Sequence, residues 1–149
     1  MKWVTRSHIS VDRVACPWLI TRFVDSGAEF IFVPKSRVEQ VARETGALPF
    51  DAPNVNLGHR DGKCSFETIL EKYALGDPAL QRLAKIVHAA DIESELHTDP
   101  LAAGLKAIAR GYSLRFPDDL ENLQRQFDVY DALYAWCRLQ EAAAAPPLA

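Results

Sequence analysis

Short β-type runs lie near the start of the chain, and helical patterns occupy most of the remaining residues. The β-type runs are Lys2 to Arg6, Glu29 to Val33 and, more weakly, Asn54 to His59. Each is too short to form a helix with a buried face. Strands that come early and helices that come late are typical of an α+β domain. We therefore predict a small sheet of about three short strands covered by five or six helices.

Capping residues and prolines mark where the helices begin. Asp77-Pro78 and Asp99-Pro100 each place a capping carboxylate directly before a proline, and proline is well tolerated in the first turn of a helix. The other predicted boundaries are a start at Ser36 with an end at Gly46, a start at Cys64-Ser65 with Ser65 as the cap, and a start at Asp118.

The last helix is predicted to be the longest, from about Asp119 to Arg138. Its apolar side chains cover most of its circumference, which predicts a largely buried helix that is central or also packs against a second subunit of a homodimer. Asp131 lies on its apolar face and is expected to pair with an arginine of the first helix. The Ala- and Pro-rich segment 142–149 is predicted to be a disordered tail, so that a single domain spans 1–141.

Size, charge and cysteine content narrow the class of protein. A chain of 149 residues with 48% hydrophobic residues is long enough to bury one core. A net charge of −3 does not favour nucleic acid as a partner. The sequence has no apolar run long enough to cross a membrane. Three cysteines without a regular spacing favour free thiols, so we expect a cytoplasmic protein.

Cys16 and two arginines are the candidate catalytic residues. Pro17 lacks an N–H group and is disfavoured inside a helix, so we predict that the first helix begins at Pro17. Cys16 would then lie at a helix N-terminus, where the positive end of the helix dipole lowers the pKa of a thiol. Arg13 and Arg22 would together form an anion-binding corner. The alternative is a small buried cysteine beside two surface arginines.

His59, Cys64, His88 and Asp91 are the candidate metal ligands. His59 and Cys64 flank a tight Asp-Gly turn and are expected to converge, although their spacing matches no established zinc signature. Asp91 falls within the apolar stripe of a later helix, with His88 three residues before it, so both side chains can reach a shared ion. A buried carboxylate must be paired, protonated or metal-bound. The alternatives are a solvent-exposed His59 and a helix that ends before Asp91.

Three separated blocks of sequence carry a family resemblance. The first is residues 12–23, which read DRVACPWLITRF. The second consists of two short segments, Leu57-Gly58-His59 and Cys64-Ser65-Phe66. The third is residues 129–137, which read VYDALYAWC. Together they resemble the C-terminal domain of the chromate-resistance protein B family, from Trp3 to Arg138. Members with an additional N-terminal region are described as chromate-responsive regulators. The resemblance implies a link to metal or oxyanion stress.

Three functions are open. The first is a metal-ion-binding domain associated with chromate or oxyanion stress. If the divalent ion keeps an open coordination position, the domain could also be a small metal-dependent lyase or hydrolase. The second is an oxyanion-sensing or oxyanion-binding domain without catalysis, in which Arg13 and Arg22 attract the anion and Cys16 responds. The third is a thiol-based reductase using Cys16 and Cys64, ranked last because the sequence has no Cys-x-x-Cys motif.

Overall fold

The α+β class is confirmed in a computed structural model, which describes residues 1–144. Strands β1 (Lys2–Arg6), β2 (Glu29–Val33) and β3 (Leu48–Pro49) form a parallel sheet in the order β2-β1-β3. The α-helices of the described residues are α1 (Asp12–Leu19), α2 (Val38–Thr45), α3 (Ser65–Lys72), α4 (Pro78–Asp91), α5 (Ala102–Arg115) and α6 (Asp119–Ala144). Short 3₁₀ helices span Lys35–Arg37 and Glu93–Thr98.

Both faces of the sheet are covered: the central strand β1 is buried, and β2 and β3 are half-buried. Alternate residues of a strand point to opposite faces, so Trp3 of β1 and Phe30 of β2 face the main helical core. Val4 and Ile31 face the other side, where they pack against α2. Helices α1, α3 and α4 pack in the core on the Trp3 side. The first turns of α1 and α3 and the last turn of α4 meet near Asp51, which follows β3. In residues 1–144 no helix combines the length and hydrophobicity that crossing a bilayer requires.

The predicted start of the first helix at Pro17 is wrong. Helix α1 begins five residues earlier, at Asp12, and contains Pro17. Val14, Ala15 and Cys16 in these turns are fully buried, and their burial offsets the hydrogen bond that a proline cannot make. The helix then continues as a wider π-helical segment over Ile20–Val24. Such segments often accommodate a local change in helical hydrogen bonding.

The predicted third strand is also misplaced. The run Asn54 to His59 forms no strand, and β3 lies earlier, at Leu48–Pro49. Asp51 and Asn54 adopt left-handed backbone conformations, with φ of 43° and 62°, which interrupt an extended chain. The chain therefore turns after β3, and Phe50 forms an isolated bridge with Leu57. This turn brings residues 51–59 back over the end of the sheet.

Helix α6 is longer and less enclosed than predicted. It extends to Ala144, three residues into the predicted tail, and residues 145–149 lie outside the described part of the chain. Leu123 and Tyr130 are buried against the other helices, whereas Leu120 and Leu139 are exposed. The helix thus buries one side and leaves the other in solvent. The predicted homodimer stays a prediction.

Candidate metal site

The predicted metal ligands separate into two clusters. His59 and Asp91 meet with Asp12 and Asp51, and we call these four residues the His59 cluster. Cys64 and His88 meet with Glu67 and Glu95, and we call these four the His88 cluster. Both clusters adjoin the N-terminus of α3 and the last turns of α4. The structure therefore brings His59 and Asp91 together, but it does not bring either of them to His88 or Cys64.

Asp12 links two helices at the base of the His59 cluster. It lies in the first turn of α1, and its carboxylate accepts hydrogen bonds from the backbone amides of Ser65 (2.8 Å) and Phe66 (3.2 Å). These amides belong to the first turn of α3, where unpaired N–H groups and the helix dipole stabilise a negative charge. Asp12 is almost completely buried. Its position is consequently set by α3 as well as by its own helix.

Ser65 was predicted to cap α3, but it does not. Cys64 is the N-cap residue, and its side chain and that of Glu67 form a reciprocal capping box. Ser65 is the first residue of the helix, and its hydroxyl donates to Asp51 Oδ1 at 2.7 Å. The Ser65 hydroxyl therefore stabilises the buried Asp51 carboxylate and does not cap the helix.

Asp51 is the carboxylate of the His59 cluster that forms ion pairs with arginines. Arg6 Nη2 and Arg13 Nη1 lie 3.4 and 3.3 Å from Asp51 Oδ2. Burial raises the pKa of Asp51, and the nearby charge of Asp12 adds to this effect. The two guanidinium groups and the Ser65 hydroxyl oppose it. Asp51 is thus held in place by neighbours on three elements.

His59 completes the cluster from the loop before α3. Its Nε2 lies 3.0 Å from Asp91 Oδ2, 3.4 Å from Asp12 Oδ2 and 3.6 Å from Asp51 Oδ1. The preceding Gly58 packs tightly, because a Cβ there would lie only 2.9 Å from the carbonyl oxygen of Ala52. About half of the His59 side chain is exposed, whereas the three carboxylates are largely buried. The imidazole therefore closes the cluster on its solvent side.

The protonation behaviour of this cluster results from its crowded negative charge. Hydrogen bonding to Asp12, the more deeply buried partner, raises the pKa of His59 to about 9, and attraction to the other two carboxylates adds to this. Burial raises the pKa of Asp91 to about 7, and repulsion from Asp12 and Asp51 contributes. The cluster thus favours a bound cation, whether a proton on its groups or an ion among them.

Asp91 is placed by the end of α4. It is the last residue of this helix, and Ile92 is the C-cap, so the alternative of an earlier helix end does not apply. Its partner His88 in the predicted site lies three residues earlier but turns toward Glu67 and Glu95 instead. Two residues that are three apart differ by about 300° of rotation, so their side chains point about 60° apart around the helix axis. His88 and Asp91 can therefore contact different elements. The structure places His88 and Asp91 in different clusters and does not bring them to a shared ion.

Arg13 and Arg22 do not form a common corner. Arg13 contacts Asp51 and the backbone oxygen of His8. Arg22 forms a two-pronged pair with Asp131, at 3.0 and 2.9 Å, and Trp18 Nε1 donates to the same carboxylate at 2.7 Å. The predicted pairing of Asp131 with a first-helix arginine is thus confirmed, but the pair is exposed. Each arginine is already bonded to a different acid.

Cys16 does not occupy the predicted helix N-terminus. It lies in the second turn of α1, fully buried, and its thiol donates to Asp12 Oδ1 at 3.3 Å. Burial raises its pKa well above the ordinary value, and the charges of Asp12 and Asp51 add to this effect. The predicted lowering of the thiol pKa is therefore wrong. A protonated, enclosed thiol is a poor nucleophile.

A cavity of about 420 Å³ borders the His59 cluster at Asp91. Lys106 and Arg110 of α5 line one side of it, and Ser113 and Asn122 contribute neutral polar groups. The cavity therefore combines two carboxylates, those of Asp91 and Asp119, with two cationic side chains. The two cations lie on α5, so this is the side from which a small anionic ligand would approach.

Sequence reasoning missed four members of the two clusters. Asp51, Glu67 and Glu95 lie in a loop, a capped first turn and a 3₁₀ helix, and Asp12 was assigned to a loop before the first helix. A capping-box pattern at Cys64 and Glu67 was the one local signal that could have indicated Glu67. The others are recognised only from contacts between elements that are distant along the chain.

A comparison with protein families gives a match to ChrB, C-terminal domain, over residues 3–137. The chain belongs to the ChrB C-terminal domain family. The resemblance stated from the sequence blocks is thereby confirmed. Protein ChrB of Cupriavidus metallidurans is 36% identical to this ChrB C-terminal domain over 134 residues, which is 89% of this chain and 40% of that protein. The chain thus spans less than half the length of this curated relative.

No solved structure gives a significant match to this ChrB C-terminal domain. All residues of the two clusters lie within the matched range 3–137. Both clusters therefore lie inside the part of the chain that matches the family.

Proposed function

We propose that this ChrB C-terminal domain binds a divalent metal ion through Asp12, His59 and Asp91, in a chromate-related role. The observation that carries the proposal is the convergence of the ligand atoms: one from each of these side chains lies within 4.8 Å of the other two. The three residues come from α1, the loop before α3 and the end of α4. An imidazole and two carboxylates from separate elements form a donor set that a single ion can bridge.

The charges in the cluster support a cation at this position. Asp51 has Arg6 and Arg13, and Asp12 has the amides of α3. Within residues 1–144, Asp91 has His59 as its ion-pair partner. A largely buried carboxylate with one titratable partner is costly when that partner is neutral. A divalent ion would supply the missing charge without needing the His59 proton.

The donor set narrows the class of ion. Carboxylate oxygens favour Mg²⁺ and Mn²⁺, whereas imidazole nitrogen favours Zn²⁺ and Fe²⁺. A site with both types of ligand suits Mn²⁺, Fe²⁺ or Zn²⁺. Three protein ligands leave a position for water or for an oxygen of an oxyanion, and a metal-bound water permits hydrolase or lyase chemistry. The family resemblance makes chromate the first oxyanion to test.

Manganese binding tests the proposal directly. The chelator-treated protein is titrated with Mn²⁺, and free Mn²⁺ is followed by its electron paramagnetic resonance signal. We expect the wild type to bind one equivalent at the His59 cluster, and Asp91→Asn and His59→Gln each to lose it. Asp131→Asn, which removes a carboxylate outside the cluster, is the matched control and should bind as the wild type does. Full binding by both cluster variants would refute the assignment.

Oxyanion binding without a metal is the second candidate function. The lining of the cavity beside Asp91 by Lys106 and Arg110 favours it, whereas the pairing of Arg22 with Asp131 does not favour the predicted arginine corner. Titration of the metal-free protein with chromate and with sulfate distinguishes the two. Saturable binding that Arg110→Ala weakens and Arg22→Ala leaves unchanged would support this candidate. Absence of saturation in the wild type would exclude it.

A further inference from the structure

The His88 cluster lies outside the proposed His59 site and has a different chemistry. It combines a sulfur, an imidazole and two carboxylates from three elements. Cys64 and Glu67 belong to the N-terminus of α3, His88 to α4, and Glu95 to the 3₁₀ helix after α4. One donor atom each from Cys64, Glu67 and His88 lies within 4.8 Å of the other two. Cys64 is fully buried, and the others are partly exposed.

Both nitrogens of His88 are engaged by carboxylates. Nδ1 lies 2.5 Å from Glu67 Oε1, and Nε2 lies 2.5 Å from Glu95 Oε2. Although partial burial opposes it, hydrogen bonding to the two glutamates raises the pKa of His88. In the absence of a metal, His88 therefore fits as an imidazolium that donates to both glutamates. In that form the Cys64 sulfur lies beside the imidazole and Glu67 as the N-cap of α3.

The sulfur of Cys64 is arranged as an acceptor. The backbone amide of Glu67 donates to the Cys64 side chain, and the Glu67 carboxylate accepts from the Cys64 amide at 3.0 Å. An amide that donates to sulfur at a helix N-terminus stabilises the thiolate form. Cys64 is fully buried, so its sulfur faces the imidazole and the carboxylate of the cluster and not solvent. A single metal ion placed between these donor atoms would be coordinated by the sulfur, the imidazole and a carboxylate together.

We propose that the His88 cluster is a second metal site, in which Cys64, Glu67 and His88 bind a zinc-class divalent ion and Glu95 orients His88 from outside the coordination shell. The mixed sulfur, nitrogen and oxygen donors suit Zn²⁺ or Co²⁺ and disfavour Mn²⁺. In this arrangement Nδ1 of His88 faces the ion and the Nε2–H group donates to Glu95, which is the common carboxylate–histidine–metal pattern. Binding displaces the thiol proton and the Nδ1 proton to solvent.

Cobalt absorption separates this site from the His59 cluster. The chelator-treated full chain is titrated with Co²⁺, and the thiolate-to-cobalt charge-transfer band in the near ultraviolet is recorded. Only a cysteine ligand produces this band, and the residues proposed to bind metal in the His59 cluster, Asp12, His59 and Asp91, contain no sulfur. Cys16 donates to Asp12 Oδ1 at 3.3 Å, so Cys16→Ser is included and should keep the band. We expect the wild type and Asp91→Asn to develop the band to the same extent. The result for Asp91→Asn thus keeps the second site distinct from the proposed function.

Substitutions within the cluster assign the ligands. Cys64→Ser, which keeps an N-cap residue and is verified as folded by circular dichroism, should abolish the band, as should His88→Gln. Glu95→Gln should retain the band but weaken Co²⁺ binding by about 10- to 100-fold, the effect of losing an outer-shell carboxylate. Cys137→Ser is the matched control, since Cys137 is an equally buried thiol of α6, and it should behave as the wild type.

Three results would overturn the second site. They are the absence of a charge-transfer band at saturating Co²⁺ in the wild type, persistence of the band in Cys64→Ser, and loss of the band in Cys137→Ser. If Cys64→Ser does not fold, His88→Gln decides the same question, because His88 is a ligand and not a capping residue. A band that survives His88→Gln with unchanged affinity would then refute the proposal.

Discussion

Replacing Asp91 with asparagine should stabilise the metal-free protein at neutral and alkaline pH. The Asp91 side chain is 15% exposed, and burial, together with Asp12 and Asp51, raises its pKa from 3.8 to about 7. A carboxyl whose pKa is higher in the folded than in the unfolded state destabilises the fold once it is ionised. Asparagine keeps the shape of the side chain and removes the charge. The substitution therefore removes an electrostatic cost.

The size of the effect is set by the difference in pKa. A difference of about 3 corresponds to about 4 kcal/mol at about 1.36 kcal/mol per pKa unit. This upper limit applies above about pH 7, where Asp91 is ionised in both states, and it vanishes below about pH 4, where the carboxyl is protonated in both. Asparagine still leaves a buried polar group that needs hydrogen-bond partners in the cluster, which costs about 1 to 3 kcal/mol. We therefore expect a net gain of about 2 kcal/mol at about pH 8 and less than about 1 kcal/mol at about pH 4.

The contribution of His59 has the opposite dependence on pH to that of a paired acid. Its pKa of about 9 lies above the ordinary value of 6.5, so its protonated form stabilises the folded state. This contribution is fully present below the unfolded pKa of 6.5 and is lost as pH rises through about 9. At about pH 8 the imidazolium still opposes part of the charge on Asp91, and the Asp91 pKa of about 7 already includes this attraction.

Metal should reverse the order of stability. At a Mn²⁺ concentration of about 100 times its dissociation constant, the wild type gains about 2.7 kcal/mol. Asp91→Asn has lost a ligand and should gain much less. Urea unfolding followed by tryptophan fluorescence, with a chelator and then with Mn²⁺, measures both free energies of unfolding. The variant is expected to be the more stable protein in chelator and the less responsive one in metal.

Asp99→Asn is the matched control for this experiment. Asp99 is buried, but its Oδ2 lies 2.7 Å from Arg82 Nη1, so it has a full cationic partner. Its loss leaves a partly buried guanidinium unpaired and should destabilise the protein by about 1 to 3 kcal/mol. If Asp91→Asn in chelator destabilised the protein to a similar degree, or had the same effect at about pH 4 and about pH 8, the crowding of negative charge around Asp91 would be refuted.

Two other predictions concern the loop before α3 and the buried thiols. Gly58→Ala should lower the free energy of unfolding by about 1 to 3 kcal/mol, because the new Cβ would lie 2.9 Å from the Ala52 carbonyl oxygen. It should also weaken Mn²⁺ binding, since His59 follows Gly58 directly. Gly104→Ala, whose Cβ would meet nothing within 4 Å, is the control and should leave both stability and Mn²⁺ binding without such a loss. Cys16 and Cys64 are fully buried with raised pKa values, so a disulfide reagent should modify them in the metal-free protein no faster than the protein unfolds. Rapid modification of Cys16 in the folded protein would contradict this prediction and would favour the thiol-based reductase.

Local patterns predicted the regular elements where local forces decide them. Strands β1 and β2 lie at the predicted residues, because short runs of β-branched and aromatic side chains favour extended backbone locally. Helix α4 begins at Pro78 as predicted, since the Asp77 carboxylate accepts from the Ala79 amide at 2.8 Å. Gly46 ends α2 in the left-handed conformation that this residue favours. These outcomes depend on neighbours within one turn or one strand.

Local rules failed where burial outweighed them. A proline inside a helix costs a hydrogen bond, yet α1 contains Pro17 because Val14 and Cys16 are buried beneath the turns that precede it. The same packing moved Cys16 from a helix terminus to the interior and reversed the direction of its pKa change. The local preference of proline for the first turn of a helix is therefore outweighed by the free energy gained when these side chains are buried in the core.

The amino-acid order alone was sufficient for the fold class, for membership of the ChrB C-terminal domain family and for the selection of His59, Cys64, His88 and Asp91 as unusual polar residues. Which of these side chains meet was decided by the packing of α1 and the loop before α3 against α4. Asp12 and Asp51 entered the His59 cluster, and Glu67 and Glu95 the His88 cluster, through contacts between distant segments. Periodicity reports which face of a helix is buried, but the partner of a buried charge depends on the element that packs against that face.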